Sequence, residues 1–459
     1  MQRHLRAWLE DAFTTGQFTW AQLRGMFLTL LLDQFFIVFI GLLAMALVSS
    51  SGEAAMAAVS MVGTVVALMT LTTNAVAMGG SILVARAKGG GSAAEVRRAL
   101  GQTVGLCGAL GLALGMTGFL LAGPLVEALY PRAEPLLRGY AALYMRLMAI
   151  SVPFISVFSA VFYAMRALGN AHAALFQTVA INGLHLAFNV LFIRGMGLGV
   201  LGAGLGYIAA RALGMALALT GMRFMQREYR VRLRHMARLT RSGASAILRL
   251  GLPIAWESAL MQGGMLLVHV DLARLSTADI AAHGIANSVL SLYVVSGGAL
   301  TALAATVCGQ CWGAGLPALT RRYCVKIIQA GRAALLLSVL VLVPLTPLLL
   351  RLFRPSPEAE PVVRAALLIA AAGLPLLWSD ANVTPMALRA AGDSVYPGLV
   401  SAGALALGRL GLGYVLAIPL GMGVPGIWAG MLAEWLLRAA LMRRRIGGEK
   451  WLRVQPARA

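Results

Sequence analysis

Five acidic residues lie inside otherwise apolar stretches of this chain: Asp33, Glu257, Asp271, Asp380 and Glu434. An ionisable group within a membrane-spanning segment is costly to bury, so it commonly marks an ion or substrate path. Two of the five are linked by arithmetic: 33 plus 224 is 257, and each falls in the first part of its apolar stretch. A carboxylate in a low-dielectric site has a raised pKa and takes up a proton at useful pH. It also attracts a cation, and competition of proton and substrate for one carboxylate couples their movements. The bland alternative is that each carboxylate caps or hydrogen-bonds a neighbouring helix. Asp380 lies mid-stretch beside Trp378 and Asn382, with Pro385 removing a backbone donor about one turn on. Asp271 and Glu434 lie nearer segment ends, where a side chain reaches water, and are read as structural. His185 and Arg409 also correspond under the offset of 224. A buried arginine either pairs with an acid or binds an anion, and sequence alone assigns Arg409 no partner. His185 reads first as a satisfied polar residue and second as a proton relay.

Such residues need membrane helices to position them, and the composition supplies these. Of 459 residues, 59% are hydrophobic and 12% charged, against about 25% charged in an ordinary soluble domain. That excludes a cytosolic enzyme, a secreted domain and a disordered chain. A span needs about 20 mostly apolar residues. Twelve candidates meet this, near 24–48, 56–82, 100–122, 140–164, 173–193, 201–222, 250–273, 283–306, 327–350, 365–388, 397–419 and 424–442. An even number puts both termini on one side. The net charge of +21 is concentrated on that side: Arg86, Lys88, Arg97 and Arg98; eight arginines from Arg223 to Arg249; and Arg443, Arg444, Arg445, Lys450, Arg453 and Arg458. Basic loops of this kind mark the cytoplasmic face. No basic fold module or stacking platform accompanies them, so no nucleic-acid partner is expected. No cleavable signal peptide is expected either, since Glu10 and Asp11 precede the first span and no small-residue cleavage site does. Cys308 and Cys311 form a lone CxxC, which without a second ligand pair reads as packing rather than metal or redox chemistry.

The chain is internally repeated. Lys88-Gly89 to Arg97-Arg98 aligns with Trp312-Gly313 to Arg321-Arg322, and Gly199-Val200-Leu201-Gly202 with Gly423-Val424-Pro425-Gly426, at the same offset of 224. With a slip of one residue, Arg166-Ala167-Leu168-Gly169-Asn170 matches Arg389-Ala390-Ala391-Gly392-Asp393. Six spans return the chain to its starting side, so the copies have the same orientation. The expected fold is an all-α integral membrane protein of twelve transmembrane helices, in two parallel-related six-helix repeats around a central cleft. Its parts are an N-terminal lobe 1–222, a basic cytoplasmic linker 223–249, a C-terminal lobe 250–442 and a basic cytoplasmic tail 443–459. Gly101/Gly105 and Gly202/Gly206 are read as small-residue faces for close helix packing.

The motifs resemble those of the multidrug and toxic compound extrusion (MATE) family over nearly the whole chain. Gly251-Leu252-Pro253, Ala281-Ala282-His283-Gly284-Ile285, Gly309-Gln310-Cys311-Trp312-Gly313-Ala314-Gly315, Leu388-Arg389-Ala390-Ala391-Gly392-Asp393 and Gly423-Val424-Pro425-Gly426-Ile427-Trp428 stand in the family's order and spacing. The resemblance implies a 6+6 helix fold with a central cleft, and export of organic cations driven by inward H⁺ or Na⁺. The sequence departs from the family pattern in its first half. Counting back from Gly52 puts one family acid on Ala44, and a second falls on Asn189, with His185 at the family's Asn. Asp33 is three helical turns from Ala44, toward the cytoplasmic side.

The expectation is therefore a secondary antiporter, not an enzyme, exporting amphipathic and cationic small molecules by alternating access. Glu257, Asp33 and Asp380 are its coupling-ion or substrate residues. His185, Asn189, Arg409, Trp378 and Asn382 are cavity polar groups. No cofactor or metal is expected beyond the coupling H⁺ or Na⁺. The lipid bilayer of a bacterial cytoplasmic membrane is the expected setting, and a monomer the expected state. The runner-up is a flippase for a lipid-linked or other anionic substrate on the same architecture. That would call for basic residues inside spans, where only Arg146, Arg211, Arg332, Arg409 and Arg438 come close.

Overall fold

A computed structural model describes residues 17–49, 53–129, 135–225, 229, 235–236, 238–272, 274–353 and 355–453. The side chain of Ala44, part of the basic 223–249 segment (Arg230, Arg232 and Arg234 included) and the tail beyond Arg453 lie outside the described residues. Every regular element among the described residues is helical. The first half gives α1 (Trp20–Ser49), α2 (Glu53–Gly89), α3 (Ala93–Leu120), the short α4 (Ala122–Leu129), α5 (Pro135–Ala167), α6 (Ala171–Asn189) and α7 (Gly199–Met225). The second gives α8 (Arg241–Leu272), α9 (Thr277–Tyr293), α10 (Val295–Gly313), α11 (Pro317–Phe353), α12 (Ala359–Gly373), α13 (Ser379–Ala390), α14 (Val395–Ala404), α15 (Gly413–Ala417) and α16 (Gly423–Gly447). Wide π-helical turns join α12 to α13 (Leu374–Trp378) and α14 to α15 (Leu405–Leu412), and a third (Val190–Gly195) follows α6.

The expected spans lie along these helical stretches, with 283–306 broken between α9 and α10. Nine helical stretches among the described residues are long and apolar enough to cross a membrane, or ten if α9 and α10, bent by 52° at Val294, make one span. The two further stretches, α8 and α16, carry Glu257 and Gln262, and Glu434 and Arg438, which lower their hydropathy.

The duplication is visible in the backbone. The eight glycines with positive φ fall into repeat-related pairs: Gly91 and Gly315 (75° and 73°), Gly169 and Gly392 (75° and 104°), Gly197 and Gly421 (66° each), and Gly199 and Gly423 (51° and 58°). Only glycine adopts this region at little cost, so the same turns end the same helices in both halves.

Two compact units emerge. The C-terminal unit takes the chain up to Phe35 and again from Trp256; the N-terminal unit takes Phe36–Ala255. The chain passes between the units within α1 and within α8. In the N-terminal unit the start of α8 lies tight on α2: a Cβ added at Gly79 would stand 2.6 Å from the Gly251 nitrogen. Likewise α3 meets α5 at Gly111 and Gly115, which accommodate Ser156 and Pro153. The expected small-residue faces also pack, Gly101 against His235 and Gly206 against Asn189. The core of this unit gathers Val76, Val84, Leu100, Val161, Met165, Ile181 and Ile247.

In the C-terminal unit, Tyr293, Val363, Leu374, Val424 and Trp428 are among the residues forming the core. The chain beyond α16 is also docked here. A short turn, Lys450–Arg453, buries Trp451 against Trp312, ring centroids 6.1 Å apart.

Candidate functional site

The C-terminal unit holds a chain of buried ions. Glu257 lies on α8, one turn after Pro253, and is 8% exposed. It accepts from Arg389, at the end of α13, and faces Arg438 of α16 at 3.7 Å. Arg438 also donates to Glu434 (3.2 Å), one turn earlier on the same helix, the spacing at which side chains meet. Glu434 in turn accepts from Arg409 at 2.6 Å. Arg409 projects from the π-helical turn before α15, and its other end donates to the Met265 sulfur at 3.2 Å. Such turns re-aim a side chain that a regular helix would direct elsewhere.

A second ionic cluster centres on Asp380, in the first turn of α13. Arg332 of α11 donates to it through Nε (3.0 Å) and Nη2 (2.8 Å). Arg443 of α16 does the same through Nε (2.8 Å) and Nη2 (3.0 Å), and also reaches the Leu376 carbonyl. The carboxylate is buried while both arginines remain about half exposed, so the cluster opens to its surroundings on the arginine side. A third pair joins Asp393 to Arg445 at 2.7 Å, and Arg445 stacks over Tyr396.

The other candidates take simpler places. Asp33, on the part of α1 that belongs to this unit, is fully buried. Trp378 fills the space beside Gly297, and Asn382 donates to the Trp378 carbonyl at 3.0 Å. His185 and Asn189 are one turn apart on α6 of the N-terminal unit, with Nε2 and Nδ2 at 3.0 Å.

Sequence reading left Glu434 at a segment end, with access to water. It is instead 0% exposed, at the middle of α16, where it meets Arg409 and Arg438. Arg389 was seen only as part of a motif, and Arg443 only as a topological charge. The one signal that could have found part of the network is the four-residue spacing of Glu434 and Arg438. Cys107, Cys308, Cys311 and Cys324 are all buried free thiols.

A family model described as MatE matches the chain twice, over residues 30–191 and again over 253–415. The chain belongs to the MATE family of membrane transporters. The two matched stretches are the two copies of the repeat. Among sequence relatives, a probable multidrug resistance protein NorM of Thermotoga maritima is 24% identical, covering 86% of this chain and 85% of its own. Another protein of that name, from Mesorhizobium japonicum, is 30% identical over 70% of this chain and 69% of its own. A solved structure described as the outward-facing conformation of a multidrug resistance MATE family transporter superposes with a TM-score of 0.84 at 18% identity. It covers 93% of this chain and 95% of that one, and shares the fold.

MATE family members are transporters. A carboxylate already held by guanidinium groups is a poor site for a cation. Removing one partner of a buried pair leaves a charge without compensation, at a cost of about 3–5 kcal/mol. We call this closed network the ionic latch, since a ligand for one member would first have to displace its partner.

Proposed function

We propose that this MATE family transporter is an H⁺-coupled exporter of amphipathic organic compounds, working as a monomer in a bacterial cytoplasmic membrane with both termini cytoplasmic. The observation that carries the coupling is the sharing of Glu257 between Arg389 and Arg438. While those contacts hold, the two guanidinium groups occupy the carboxylate oxygens that a proton would take. Once they open, those oxygens are free to bind one. A proton thus binds the open arrangement better than the closed one, and only such a difference lets a ligand shift an equilibrium. Na⁺ gains less, since it needs several free oxygen ligands and Glu257, Asp380 and Glu434 each face guanidinium groups.

Two readings of the substrate's charge follow. A cation would compete for the carboxylates. An anion would compete for the arginines. The Asp380 cluster favours the second, because two half-exposed arginines share one buried carboxylate.

The test is transport in proteoliposomes under imposed gradients. A pH gradient drives efflux in the wild type and not in Glu257→Gln, while Glu257→Asp retains part of it. Efflux driven by a Na⁺ gradient at fixed pH, or unchanged in Glu257→Gln, would overturn the coupling.

A further inference from the structure

The N-terminal unit has a polar cluster where α6 meets α7. His185 and Asn189 stand one turn apart on α6; Tyr207 and Arg211 stand one turn apart on α7. The His185 ring meets Tyr207 edge to face at 5.1 Å, and the Arg211 guanidinium lies over the same tyrosine ring at 4.5 Å. Gly206 brings the helices close enough for this, since a Cβ there would stand 2.7 Å from the Asn189 Oδ1.

Two features mark the cluster as incomplete. Asn189 is 2% exposed, and its Oδ1 finds no hydrogen-bond partner among the described residues. The buried Arg211 Nε also finds none. Stacking on Tyr207 occupies only the face of the guanidinium. Its N–H donors radiate in the plane and form a fork matched to carboxylate or phosphate oxygens.

Among the described residues no carboxylate pairs with Arg211, and the short α4 packed near Tyr207 carries only the exposed Glu127. The sequences of α5, α6, α7 and the π-helical turn between α6 and α7 contain no Asp or Glu, and α2 has only Glu53 at its first residue. The repeat sharpens the point. Glu434 neutralises Arg409 and Arg438 in the C-terminal unit, and its equivalent (434 − 224) is Ala210, the residue before Arg211. A half-buried guanidinium with a buried, unpartnered Nε and no paired acid, beside an imidazole and an amide short of a partner, is complemented by an anion. Unpaired buried charges and polar groups are otherwise expensive.

We propose that His185, Asn189, Tyr207 and Arg211 form a recognition site for the acidic head group of an amphipathic organic anion. Arg211 grips the acid with its in-plane donors, and the Asn189 amide and His185 ring fix its orientation. The site deepens the exporter reading, and rests on it only in treating the ligand as cargo; binding itself is independent of that reading.

The test is fluorescence polarisation of 6-carboxyfluorescein with the full chain in phosphatidylcholine nanodiscs. Arg211→Gln should weaken saturable binding at least tenfold, and Arg211→Lys, which keeps the charge but loses the fork, should weaken it less. Unfolding midpoints check that each variant is folded. Displacement of the dye when phosphatidylglycerol replaces part of the lipid assigns the head group to a lipid; retention assigns it to a free organic acid. Absence of saturable binding to the wild type, or equal binding by both folded variants, overturns the site. A pH gradient that moves ethidium but not carboxyfluorescein keeps export and discards the anion as cargo. A gradient that moves neither, with Arg211-dependent binding intact, discards the exporter reading and leaves the site standing.

Discussion

The two units use one helical plan with opposite electrostatics. In the C-terminal unit, Glu257, Asp380, Asp393 and Glu434 each meet arginine. At the offset of 224, Asp380, Arg332, Arg443 and Glu434 correspond to Ser156, Gly108, Leu219 and Ala210 in the first half, so none of that charge is repeated. The turn glycines are repeated in full. Duplication has preserved what a backbone requires and released what chemistry can vary. A network of ion pairs occupies one unit; in the other, a single arginine, Arg211, stands with His185, Asn189 and Tyr207 and pairs with no acid among the described residues.

The largest expected effect is on the latch. Glu257→Ala leaves Arg389 and Arg438 without the carboxylate they share, and should cost about 3–5 kcal/mol in unfolding free energy. Combining Glu257→Gln with Arg389→Gln should recover part of that loss, because charge and countercharge leave together. Strictly additive losses in chemical unfolding would mean that the two do not form one unit.

Much of the frame was legible in the sequence, because span length and repeat spacing are local properties. The apolar stretches lie along helices, nine or ten of them long and apolar enough to cross a membrane among the described residues, and the Gly199 and Gly423 motifs mark equivalent turns. The ionic partners were not legible. Arg389 is 132 residues from Glu257, and no local rule links residues at that separation. Glu434 stands at the middle of the 424–442 stretch as well as of α16, so its burial follows from the arginines it meets, Arg409 and Arg438, rather than from where the helix ends. The equivalence of Asp33 and Glu257 was correct as arithmetic, yet α1 up to Phe35 packs with the C-terminal unit.

A smaller effect tests the N-terminal unit. Gly206→Ala puts a methyl group 2.7 Å from the Asn189 Oδ1, so Asn189 must move away from His185. Overpacking of this kind costs about 1–3 kcal/mol. The expected outcome is a modest fall in stability with a larger fall in carboxyfluorescein binding. A loss of stability with unchanged binding would separate the helix contact from recognition.

Asp380→Asn is milder than Glu257→Ala, because Arg332 and Arg443 are half exposed and water takes over their hydrogen bonds. About 1–2 kcal/mol is expected. In a double-mutant cycle with Arg443→Gln, the coupling should shrink as salt is raised, whereas coupling across the Glu257–Arg389 pair should hold, since buried pairs are screened less. Equal salt sensitivity would erase the distinction between the two clusters.

The smallest effect sets the scale for the rest. Glu360 and Arg364 form a two-bonded pair one turn apart on α12, at 3.0 and 2.6 Å, as well made in geometry as the Asp380 contacts. Both side chains are more than 40% exposed. Exposed pairs at this spacing contribute about 0.3–0.5 kcal/mol, so Arg364→Ala should scarcely move the unfolding midpoint. If it costs as much as Glu257→Ala, burial is not what gives the latch its strength. The contrast between the units would then rest on the number of ion pairs rather than on where they lie.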